Sequence, residues 1–405
     1  MAKKKLAVKT RSFINRLGPG IITAALVFGP GSITVNTKLG ASYGYSLLWV
    51  LVLSTLFMLV FTAMSTRIGL FSSTSLVTRI KTELNPLLGM LCGIGVFLIT
   101  ASFQAGNTIG ASISFSEITQ TPVWMWTSFF SLLAILLLFL KSFYKVLEKL
   151  MIALVVLMLI CFMATLVMAE PNIQEMAKGI IPSLPKGSEY LIITLTASSF
   201  SIVGAFYQSY LVREKGCGPE SKLTSVAESR TGIFVLGLLS SLVMLCASAV
   251  LNKNNIQVNS ASDLGMALEP LFGNAATIIF MIGFFAASFS SMIGNATIGG
   301  VILADTVFGQ SKLSHTGVRL MIISVVLLGA MVALIFGSLP MQLIIFAQGI
   351  TILIVPLIAV LILLFSGTKF ISAELRNAPY VSFIGIVGIL LLFGMSAYSI
   401  KYLFF

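Results

Sequence analysis

Long apolar runs separated by short polar turns recur along the chain, near residues 17–42, 46–66, 86–118, 123–140, 149–169, 190–212, 232–252, 271–303, 317–337, 340–366 and 379–402. About 20 apolar residues carry a helix across the hydrocarbon core. The pattern therefore predicts an all-α integral membrane protein with eleven transmembrane helices. The turns are too short for a soluble domain, and no low-complexity stretch or long linker breaks the series. Residues 1–16 read as a basic tail and 17–405 as one transmembrane domain. The first run is expected to be retained as a span, because Gly-Pro-Gly sequences interrupt it and no small-residue cleavage motif follows.

Some runs are interrupted where a membrane tolerates interruption least. Backbone groups left unpaired against lipid cost several kcal/mol, so irregular backbone at depth must be buried in protein or line a cavity. Gly29-Pro30-Gly31-Ser32 falls in the middle of the first span; it reads as a proline kink or as a break between two half-helices. In the sixth, Ser198, Ser199, Ser201 and Gly204 cluster ahead of Tyr207-Gln208-Ser209. Small residues there suit close helix packing. Paired with the first span, however, they suggest matching breaks in two halves, which is the sequence pointer to a transporter's central site. The third and eighth spans are also polar for their depth, with Gln104, Asn107 and Thr108 in one and Ser288, Ser291 and Asn295 in the other.

Charge adds orientation. Of 25 Lys and Arg, 20 fall in alternate segments beginning with the N-terminal tail, four fall in the opposite segments, and Lys38 lies within the first span. Basic residues gather in cytoplasmic loops, which predicts a cytoplasmic N-terminus and an extracytoplasmic C-terminus in a plasma membrane, with loops compact enough for a prokaryotic one. The net charge of +12 then reflects topology and an anionic inner leaflet as partner. Spread over six loops without interleaved aromatics, it argues against nucleic acid. Lys38 is expected to snorkel to the outer interface.

Composition narrows the chemistry. Only 9% of residues are charged, 57% are hydrophobic and the mean hydropathy is +1.04, which leaves no room for a catalytic domain, so no enzyme is expected. The single histidine, His315, sits in a short polar loop; Cys92, Cys161, Cys217 and Cys246 are dispersed. That spacing suits neither a disulfide framework nor a zinc site, and no cofactor is implied. The thirteen acidic residues all fall in loops or near span ends, so no carboxylate is expected at the membrane midplane, where such groups usually carry protons or cations.

The opening LGPGIITAALVFGPGSITVNTKLGASYGYSLLWV resembles the first span and following turn of the Nramp family of proton-coupled divalent metal transporters. QAGNTIGAS, FYQSYLV, SFSSMIGNATIGG and FAQGITILIVPL extend the resemblance from Leu17 to about Phe365. It implies a LeuT-like fold: two inverted five-helix repeats, here 17–169 and 190–366, an extra helix at 379–402, unwound centres in helices one and six, and alternating access. The family's metal-binding residues are replaced, however. Its Asp-Pro-Gly-Asn matches Gly29-Pro30-Gly31-Ser32, its Met-Pro-His matches Ser201-Ile202-Val203, and its acidic pair in helix three matches Gln104 and Asn107. A second helix-six histidine matches Gln208, and only the tenth-helix glutamine, Gln348, is kept.

A site so neutralised lacks the carboxylate, imidazole or thioether ligands that suit manganese or iron, and lacks a group titrating near neutral pH. Half-helix N-termini carry about half a positive charge and can hold a carboxylate without a basic side chain. The leading expectation is a secondary transporter for a small organic solute, a carboxylate or amino-acid-like compound. It would bind among Gly29, Pro30, Gly31, Ser32, Ser199, Ser201, Val203 and Gly204, with Gln104, Asn107 and Gln348 giving neutral hydrogen bonds. The alternative is a divalent cation carrier, for Mg2+ or Mn2+, without the usual proton coupling; a non-transporting sensor or scaffold is a third reading.

Overall fold

The structure is a computed structural model that describes residues 28–139, 141–216, 218–336, 340–367 and 369–404. Among these residues every regular element is helical. The main helices are α1 (Pro30–Tyr43), α2 (Leu48–Phe71), α3 (Leu76–Glu83), α4 (Pro86–Thr119), α5 (Val123–Leu137), α6 (Lys141–Met168), α7 (Ile173–Lys178), α8 (Glu189–Ser199) and α9 (Ile202–Glu214). They continue with α10 (Lys222–Ala247), α11 (Ala261–Gly265), α12 (Glu269–Phe272), α13 (Ala276–Phe308), α14 (Thr316–Ile335), α15 (Pro340–Gly349), α16 (Val355–Phe365) and α17 (Pro379–Phe404). The expected spans reappear within a few residues of their ends, apart from the first half of span one, 17–27, which lies outside the described residues, and α6 and α10, whose helices begin well before 149 and 232. By length and apolarity alone, seven helical segments among the described residues can cross a membrane, and an eighth is formed if α15 and α16 count as one span bent by 48°. Val123–Leu137 and Val156–Met168 are shorter apolar helices, and α1 is the described half of span one.

Local chemistry sets the helix starts. Pro86 occupies the first turn of α4, where its missing N–H is no loss, and the Asn85 side chain accepts a hydrogen bond from Leu87 N–H at 2.7 Å. The two longest helices, α4 and α13, pack side by side along most of their length. Glycines permit that approach: a Cβ at Gly93 would strike Thr306, and one at Gly299 would strike Thr100. Lipid is as apolar as a leucine side chain, so helices here associate by close packing and buried hydrogen bonds. Asn295 Nδ2 on α13 donates to Thr100 O at 2.6 Å and Gln104 Oε1 at 3.2 Å, both on α4. Against this pair lie α1, the interrupted span α8–α9, and the elbow α15–α16, while rings such as Phe57, Phe61 and Phe200 fill the gap between α2 and the α8–α9 junction.

Candidate functional site

The sixth span is interrupted as suspected, and at the first suspected break a helix begins; the stretch before it, 17–27, lies outside the described residues. Pro30 begins α1; the residue before it, Gly29, is extended at φ −115°, ψ −177° and caps the helix without a side chain. In the sixth span the ladder stops after Phe200 N–H bonds to Thr196 O at 2.8 Å and resumes when Ala205 N–H bonds to Ser201 O at 3.0 Å. The last carbonyls of α8 and the first N–H groups of α1 and α9 thus lack intrahelical partners. Dipole ends of both signs meet at one depth.

A small cavity of about 30 Å³ lies between the start of α1 and the sixth-span break. Gly29 and Ser32 of the first span, and Ser198, Ser201, Val203 and Gly204 of the sixth, form one side. Phe103 and Asn107 of α4, Ser291, Asn295 and Ile298 of α13, and Gln348 of α15 form the other. No lining side chain is charged; the polar groups are hydroxyls and amides. Gly29 is held closely: a Cβ there would lie 3.0 Å from Ser291 Oγ and 3.1 Å from Asn107 Oδ1. Among the described residues no three His, Cys, Asp or Glu side chains converge as a metal-binding group.

Of the residues singled out in the sequence, Gly29, Ser32, Asn107, Ser201, Val203, Gly204 and Gln348 line this cavity, whereas Pro30, Gly31, Ser199 and Gln104 do not. Pro30 packs outward into the space left by Gly110, where a Cβ would lie 2.6 Å from that of the proline. Gly31 makes room for Gln348, whose Nε2 would be 2.0 Å from a Cβ at this position. Ser199 gives way to its neighbour Ser198, and its own Oγ is buried without a partner. Gln104 turns toward α14, its Cγ filling the place a Cβ of Gly329 would need, and it acts on the cavity through Asn295. Ser198, Ser291 and Asn295 carried a signal as polar residues at depth. Phe103 and Ile298 carried none, because apolar side chains in apolar helices look alike.

A second cavity, about 740 Å³, opens at the basic side of the bundle. The same two helices line both: α9 contributes Val203 and Gly204 above, Tyr207 and Tyr210 below, and α13 contributes Ile298 above, Val301 and Asp305 below. Asp305 lies near the end of α13, as expected of the acidic residues, but it is buried there. It is 3% exposed and accepts a hydrogen bond from Tyr210 Oη on Oδ2 at 2.7 Å.

A helix start and an interrupted span facing each other over a polar chamber, in an all-helical membrane bundle, are the arrangement of a secondary transporter. Its architecture is all-helical and LeuT-like, as two solved structures show. A manganese transporter of Eremococcus coleocola, solved with an aromatic bis-isothiourea substituted compound, superposes with a TM-score of 0.80 at 18% identity, covering 97% of this chain and 87% of that one. Mhp1, a nucleobase-cation-symport-1 family transporter in a closed conformation, gives 0.59 at 14% identity over 96% of this chain and 93% of its own. The model of the Nramp family, natural resistance-associated macrophage protein-like, matches residues 20–401: the chain belongs to that family. A Yersinia pestis relative described as the divalent metal cation transporter MntH is 24% identical over 95% of this chain and 94% of its own length. The resemblance first seen around Gly29 therefore extends over the whole bundle.

Proposed function

We propose that this protein is a divalent cation carrier whose ion is held, partly hydrated, by neutral oxygens. The cavity volume carries this reading. A chamber of about 30 Å³ admits about two waters at 10–15 Å³ each. That suits one ion with a water or two, and it is too little for an amino acid or an organic carboxylate in this conformation. Relatives described as metal cation and manganese transporters point the same way, and neither relative supports the organic solute that the missing charge first suggested. Hard oxygen donors suit Mg2+ and Mn2+, and Mg2+ keeps several waters when it binds. Ser32, Asn107, Ser201, Asn295 and Gln348, with the free carbonyls ending α8, are the proposed ligands. The basic side is assigned to the cytoplasm of the cell that makes the protein, following the charge bias.

The test is competition in proteoliposomes. Uptake of Mn2+ should be measurable and should be reduced by excess Mg2+, with small carboxylates having no effect. Uptake of a radiolabelled carboxylate, with no flux of either metal, would reverse the assignment.

A further inference from the structure

The carboxylate of Asp305 is buried in the lower wall of the route, yet no Lys, Arg or His nitrogen pairs with it among the described residues. Two nearby cations have other partners. Arg213 donates to Ser311 Oγ at 2.6 Å and lies over the Tyr210 ring, 5.1 Å from its centroid. Lys81 donates to the carbonyl of Thr306, the next residue along α13. Asp305 receives one neutral hydrogen bond, from Tyr210. Ionisable groups inside membrane proteins are expensive and mark ion pathways, and removing a charge from water without compensation costs several kcal/mol.

Register places this group on the way out. On α9, Val203 and Gly204 face the central chamber, then Tyr207 and Tyr210 face the lower cavity; on α13, Ile298 is followed by Val301 and Asp305. Residues three and four apart share one helix face, so a single stripe on each helix runs from chamber to exit. Tyr207 and Val301 stand in the middle of those stripes, and Tyr207 stacks on Tyr210 at 5.9 Å. Ser75 and Thr78 supply hydroxyls on the opposite wall of the lower cavity.

We propose that Asp305 is a cation transit site on the cytoplasmic side, capped by Tyr210 while the route is shut. This rests on the cation reading of the central chamber. An ion leaving that neutral chamber meets Asp305 as its first full negative charge on the stripe. For the ion to take both oxygens of the carboxylate, Tyr210 must release Oδ2, so opening of the tyrosine layer and completion of the site are one event.

The test compares sides. Mn2+ flux is measured in inside-out and right-side-out vesicles carrying the wild type, Asp305→Asn, Asp305→Ala or Tyr210→Phe. Asparagine keeps an acceptor for Tyr210 and removes only the charge. Asp305→Asn should raise the half-saturating Mn2+ concentration on the cytoplasmic side about tenfold, the scale expected from deleting one partly buried charge, with the opposite side unchanged. Tyr210→Phe, which removes the cap, should lower it on the cytoplasmic side. Equal effects on both sides overturn the proposal, as does a loss seen with alanine and not with asparagine, which marks a structural role. Should Asp305→Asn fail to fold, an unchanged cytoplasmic half-saturation in Tyr210→Phe overturns it alone. Absence of Mn2+ and Mg2+ flux in the wild type refutes the cation reading itself, and is distinguished by appearing before any variant is made.

Discussion

The hydrogen that Gly31 carries in place of a side chain is what admits Gln348 to the first span. A methyl group there would overlap the end of a flexible side chain, with contacts of 2.0–2.7 Å to Nε2, Cδ and Cγ, and the amide would move before the backbone did. Gly31→Ala should therefore cut Mn2+ transport while moving the melting temperature in detergent by little; a large fall in melting temperature would mean the backbone yields instead. Gly29 poses the reverse case. Gly29→Asp places a carboxylate beside Asn107 and Ser291, and a unit charge a few Å from a divalent ion, even at an effective dielectric near 20, should tighten binding at least about tenfold. Calorimetry with Mn2+ checks it, and unchanged affinity would mean the ion does not visit Gly29. At this scale the site was partly legible. Gly29, Ser32 and Gly204 announced themselves because glycine, proline and serine are conspicuous in apolar sequence. Gln104 misled, since a buried amide three residues from Asn107 looks like a ligand until Gly329 opens a pocket on its other side. Asp305 was visible only as an acidic residue near a span end, since burial depends on the partner helices.

Element by element, glycine also sets how near helices come. A Cβ at Gly300 of α13 would lie 2.4 Å from Ile322 N and 2.5 Å from Ile322 Cα on α14, and backbone cannot rotate away as an amide can. Gly300→Leu should lose at least the 1–3 kcal/mol typical of overpacking, read as a lower melting temperature. Gly394→Leu serves as the control, because nothing lies within 4 Å of a Cβ there. Spans were the most readable level of the sequence: long apolar runs ended by Pro86, by Pro379 or by loops bearing Lys and Arg give boundaries close to the observed ones. The bend between α15 and α16 was not readable. Pro356 looks like a simple first-turn proline, and the deflection depends on the 3-10 segment Ile350–Leu353 that precedes it.

For the molecule as a whole, a central chamber without titratable side chains separates ion movement from proton movement at that depth. Mn2+ uptake into proteoliposomes should proceed at the same initial rate with and without an imposed pH gradient, followed with a metal-sensitive dye; acceleration by an inward proton gradient would require a proton path elsewhere. The elbow at α15–α16 bears on how such a carrier can open. Gln348 lies on one limb of the 48° bend, about 10 Å along the axis from its vertex at helical rise, so a further flexure of about 10° displaces the amide by about 2 Å. That distance is enough to break a coordination bond. Unlatching the ion and flexing the limb would then be one motion, and a cross-link that stiffened the elbow would trap the cargo without touching any group that holds it.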